Sequence, residues 1–69
     1  MNFNNDITLF SSMKEISIVN QSVFNNKGEN IALFGENENV FEIFTKAGWK
    51  YLKERELSPG NTQIFLVNV

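Results

Sequence analysis

The segment from Asn39 to Glu56 constrains the fold most, because it opens as a helix and closes badly as one. Asn39 and Glu42 have the spacing of a capping box, in which the asparagine accepts the amide of residue 42 and the glutamate reaches back. Glu36, Glu38 and Glu42 add negative charge where a helix N-terminus favours it. Val40, Phe41, Ile43, Phe44 and Ala47 then recur at helical spacing and form a broad apolar face. The difficulty begins at Gly48. An interior glycine costs only about 1 kcal/mol relative to alanine, and KYLKERE is helix-favourable, so one helix running to Arg55 is a real competitor. In that helix Trp49, the only tryptophan of the chain, points away from the apolar stripe into solvent. Ending the helix at Ala47 removes the conflict. Lys46 then sits in the last turn and Gly48 takes the left-handed position beyond it. The preferred reading is a helix over Asn39–Ala47 and a strand over 49–57. By alternation, Trp49, Tyr51, Lys53 and Arg55 share one strand face, with Lys50, Leu52, Glu54 and Glu56 on the other.

The remainder is β-patterned. MKEISIVN alternates, with Ile16 and Ile18 on one side and Glu15 and Ser17 on the other. The alternation changes phase near Asn20, which suggests a bulge, and continues to a turn at Asn25–Gly28 before Ile31, Leu33 and Phe34. Residues 7–10, ITLF, are β-favourable but short. Ser58–Asn61 reads as a β-turn with Pro59 second and Gly60 supplying positive φ. The last segment puts Ile64 and Leu66 on one face and Phe65, Val67 and Val69 on the other, as in a central strand or an edge strand awaiting a partner. The expectation is an α+β domain spanning residues 1–69: a small antiparallel sheet of about four strands in ββαββ order, with one helix packed on one face. Residues 1–6 are expected to fray, although Phe3 offers an anchor.

Composition narrows the chemistry. The chain has 69 residues with no cysteine and no histidine, which removes disulfides, thiolate metal sites and the usual general base. The four glycines are too scattered for a phosphate loop. Glu36, Glu38 and Glu42 fit a helix start better than a metal or acid–base cluster, and Ser11-Ser12 has only Lys14 nearby as an activating group. No enzymatic activity, cofactor, metal or small-molecule site is expected. A formal charge of −2 argues against a dedicated nucleic-acid binder. No apolar run approaches the ~18 residues of a membrane span, and the N-terminus lacks the basic start of a signal peptide, so a cytoplasmic location is expected. Eleven asparagines suit an AT-rich bacterial or phage coding sequence.

The junction KAGWKYL resembles that of a family of short bacterial domains of unknown function, in which an amphipathic helix meets a strand at a Gly-Trp pair within a GAEGWEL-like stretch. The resemblance covers roughly residues 38–69 and implies the ββαββ order but no activity. The same region is similar to the helix–strand unit of HicA toxins, small ribonucleases with a double-stranded-RNA-binding-like fold. Their glycine–serine–histidine turn is replaced by Ser58-Pro59-Gly60-Asn61, so their catalysis is not implied.

The function expected is therefore non-catalytic protein–protein interaction, including self-association as a homodimer through an edge strand. The candidate interaction residues are Trp49, Tyr51, Lys53, Arg55, Phe65 and Val67. Two alternatives stand beside it: a nucleic-acid module in which Trp49 and Tyr51 stack bases while Lys53 and Arg55 meet phosphates, and a phage or mobile-element inhibitor of a host protein.

Overall fold

A computed structural model describes residues 13–68. The expected strand at 7–10, the fraying of 1–6, the Ser11-Ser12 pair and Val69 lie outside the described residues. Within them, β1 (Glu15–Val19), β2 (Ser22–Asn25) and β3 (Asn30–Leu33) precede helix α1 (Val40–Lys46), which is followed by β4 (Lys50–Ser58) and β5 (Asn61–Val67). The five strands form one antiparallel sheet in the order β3-β2-β1-β5-β4. The class is α+β as expected. The order is βββαββ rather than ββαββ.

The extra strand comes from the phase change at Asn20. Asn20 and Gln21 both have positive φ, +48° and +64°, and Val19 pairs with Ser22. This is a two-residue hairpin turn of the primed type, whose twist matches that of the flanking strands. Asparagine enters this region readily and glutamine does not, so the dipeptide carries little turn signal. The next turn was legible. The Asn25 carboxamide oxygen accepts from the amides of Lys27 (2.9 Å) and Glu29 (3.0 Å), and Gly28 takes φ +85°.

The core lies between α1 and one face of the sheet, called inner here. Ile16, Ile18, Val23 and Leu66 from three central strands meet Val40 and Phe44 of the helix, with Phe34 and Trp49 at its two ends. Alternation chose these residues correctly for β1 and β5. The helix lies in the connection between β3 and β4, the two edges of the sheet. Four interstrand steps of about 4.8 Å separate those edges, whereas seven helical residues rise only about 10 Å. The loop from Phe34 to Asn39 makes up the difference. Phe34 holds it down with an edge-on contact to Phe44, ring centroids 6.0 Å apart.

Both helix ends are closed by local chemistry. The Asn39 side chain accepts from the Glu42 amide at 3.1 Å. The Glu42 carboxylate turns to Lys46 one turn on, at 3.1 Å, rather than back to the cap. At the other end Gly48 adopts φ +109°, its amide donates to the Thr45 carbonyl (3.1 Å), and the Trp49 amide donates to the Phe44 carbonyl (3.0 Å). These two bonds define a Schellman motif, and its customary hydrophobic contact is the edge-on pair of Phe44 and Trp49, 5.9 Å between centroids. The helix stops at Gly48, and the continuous alternative is not formed.

Candidate interaction surface on the outer face and the β4 edge

β4 is held at both ends. Trp49, 2 % exposed, fixes its start in the core, and the turn at Pro59-Gly60, with Gly60 at φ +84°, fixes its end. Between these anchors β4 has nine residues opposite seven of β5. The surplus is taken up in two bulges, at Leu52 and Leu57.

The first bulge changes which side chains share a face. Tyr51 pairs with Leu66 on the inner face, whereas Lys50 pairs with Val67 and Lys53 with Phe65 on the other, outer face. The expected grouping of Trp49 and Tyr51 with Lys53 and Arg55 is therefore corrected. A strict period of two assumes an unbroken strand, and the extra residue at 52 reverses parity. Trp49 and Tyr51 belong to the helix side. Trp49 is buried, and its indole N–H has no hydrogen-bond partner among the described residues. Tyr51 is half exposed, packs edge-on against Phe41 (6.4 Å) and donates its hydroxyl to Glu54 Oε1 at 2.9 Å. That hydrogen bond, then burial and the nearby negative charge, hold the phenol above its ordinary pKa of 10.0.

The outer face gathers Lys53, Arg55, Phe65 and Val67 from the expected set, and adds Lys50, Phe24, Ser17 and Gln63. The Lys53 ammonium lies 5.0 Å and the Arg55 guanidinium 5.9 Å from the Phe65 ring centroid. Arg55 Nη2 donates to Gln63 Oε1 at 2.7 Å, and Gln63 Nε2 donates to the buried Ser17 Oγ at 3.1 Å. This chain of hydrogen bonds crosses β4, β5 and β1 and ties the guanidinium to the outer face. The same alternation puts Glu54 and Glu56, opposite Ile64 and Thr62, on the inner side. Positive and negative charges of KERE are thus sorted to opposite faces. Among the described residues Lys50, Lys53 and Arg55 make no ion pair; the ion pair present joins Glu42 and Lys46 on the helix.

A groove of about 280 Å³ lies beside Lys53 and Arg55 and is lined also by Ser17, Gln63, Phe65, Asn25 and Asn26. Lys50 and the Gln63–Ser17 link could not be read from the sequence. Parity assigned Lys50 to the wrong side, and residues 17 and 63 meet only through tertiary pairing.

β5 pairs on both sides, with β1 and β4, so the C-terminal strand is interior and is not the edge awaiting a partner. Among the described residues the edges are β3, of four residues, and β4, of nine, all nine exposed. No helix among the described residues is long and apolar enough to cross a membrane. No protein-family model, curated protein or solved structure matches the chain.

Proposed function

We propose that the protein is a non-catalytic interaction domain whose β4 edge accepts an extended segment of another polypeptide. The observation that carries this reading is a nine-residue strand, paired on one side only among the described residues and exposed along its whole length. Such an edge offers a row of backbone donors and acceptors, and strand addition uses them for affinity while side-chain patterning sets specificity.

The charge pattern favours a different chain over a second copy. In a symmetric antiparallel dimer through β4, the outer face of one copy continues into the outer face of the other. Paired residues then come from the same side: Lys53 and Arg55 oppose cations, and Glu54 and Glu56 oppose carboxylates. Like charges directly opposite destabilise a strand pair. Every full-overlap register of this kind meets that repulsion between Leu52 and Leu57. The same charges guard the free edge against aggregation.

The test is selection of peptides from a random display library on the immobilised protein, followed by synthesis of the enriched sequences with and without backbone N-methylation at alternate residues. Binding that is lost on N-methylation is expected, together with slowed amide exchange along β4. No enrichment, or binding indifferent to N-methylation, would refute strand addition. Light scattering of the protein alone is expected to give a monomer.

A further inference from the structure

We infer that the segment accepted at β4 is acidic at alternate positions, with its carboxylates on the side that continues the outer face. This rests on strand addition at β4 and names the chemistry of the partner. Three observations lead to it. Lys50, Lys53 and Arg55 project from the outer side of the edge strand, and among the described residues none is ion-paired. The Arg55 guanidinium is already oriented, by its bond to Gln63 and by the Phe65 ring, and spends only part of its donor set there. Lys53 is positioned over the same ring. Both cations are therefore held on the outer side of the sheet, rooted on the edge strand β4 with their charged ends resting over β5, one strand in from where the next strand would lie.

Spacing makes the match specific. Lys53 and Arg55 are two residues apart on a regular stretch between the bulges, about 6.6 Å along the strand. An added antiparallel strand repeats at the same interval. Carboxylates at i and i+2 then face the two cations together, at the ~5 Å Cβ separation of cross-strand pairs. Acidic residues at i and i+1 do not, because one of them falls on the inner side beside Glu54 or Glu56. The inner positions of the partner suit neutral or basic side chains for the same reason. Glu15 also lines the outer-face groove, but it sits on β1, two strands from the β4 edge.

The outer face also presents an aromatic beside its cations, as single-strand nucleic-acid platforms do. Here Lys53 and Arg55 lie over the Phe65 ring that a base would need for stacking, and Trp49 and Tyr51 are on the other side of the sheet. A polypeptide is the better-fitting occupant.

The experiment uses the whole protein and four dye-labelled probes followed by fluorescence anisotropy at low salt. Three are nine-residue peptides: one alternating valine with glutamate, one of the same composition with the glutamates contiguous, and one alternating valine with glutamine. The fourth is a single-stranded oligothymidylate. The alternating glutamate peptide is expected to bind about five- to ten-fold more tightly than either other peptide, the gain of two favourable cross-strand pairs. That advantage should fall within two-fold in the double variant Lys53→Gln, Arg55→Gln, whose circular dichroism and Trp49 emission should match the parent. Equal binding of the glutamine and glutamate peptides would overturn the acidic assignment and leave strand addition standing. Equal binding of alternating and contiguous glutamates would overturn the spacing argument. Failure of all three peptides would remove both readings. Tighter binding of the oligonucleotide, lost in the double variant, would assign the face to nucleic acid.

Discussion

Replacing Gly48 by alanine separates the observed fold from its competitor by the sign of the effect. Gly48 has φ +109°, and a Cβ built there meets no atom within 4 Å. The substitution therefore causes no collision, and its whole cost is backbone strain. A left-handed residue other than glycine costs about 1–2 kcal/mol, and Gly48 lies well beyond the usual left-handed centre near +57°, so the upper end applies. A loss of about 2 kcal/mol is expected. For a domain of this size, whose total stability is about 3–5 kcal/mol, that loss is large and lowers Tm by roughly 10 °C. Were the helix continuous through position 48, the same change would instead stabilise by about 1 kcal/mol. Urea and thermal unfolding followed by far-ultraviolet circular dichroism and by Trp49 fluorescence read the difference. Gly35→Ala is the control: it lacks a positive φ, and its added methyl meets Glu38 Cγ at an ordinary 3.6 Å, so a change within about 0.5 kcal/mol is expected. A Gly48→Ala protein that is more stable than the parent, with increased helical signal, would refute the Schellman junction and with it the strand assignment of β4.

Two further predictions test the turn and the β4 surface. Gln21→Gly relieves a positive φ of +64° at a hairpin turn and should stabilise the domain by about 0.5–1 kcal/mol after the greater chain entropy of glycine is deducted; a destabilised variant would contradict the primed turn. Tyr51 is the only tyrosine, so tyrosinate absorbance at 295 nm reports its ionisation alone. Its midpoint should lie above 10.0 in the folded protein and fall toward that value in Glu54→Gln. Because the folded pKa is the raised one, the contact contributes stability below the unfolded pKa and loses it as pH rises through the folded pKa. A midpoint unaffected by Glu54→Gln would remove the Tyr51–Glu54 contact.

The local punctuation of this chain was legible from its residues. Asn39 caps the helix, Gly48 ends it, Asn25–Gly28 and Pro59-Gly60 turn the strands, and the alternations in 15–19 and 64–67 assign their faces. Each depends on the conformational preference of one or two residues or on a period that needs no partner, and so survives without knowledge of the tertiary fold. The turn at Asn20-Gln21 left only a change of phase as its trace, because glutamine does not signal positive φ.

What decides the surface of β4 is of another kind. Nine residues must lie along seven between a tryptophan fixed in the core and a proline–glycine turn, and two bulges absorb the surplus. Nothing within KYLKERELS specifies where the extra residues go, since bulge placement follows from pairing with β5 and from the burial of Trp49. The bulge at Leu52 then moves Lys50 to the side of Lys53 and Arg55 and sends Tyr51 to the helix side. Sequence chemistry determined that a helix, a stop and a strand would follow one another; the length mismatch between two paired strands decided which side chains face outward together.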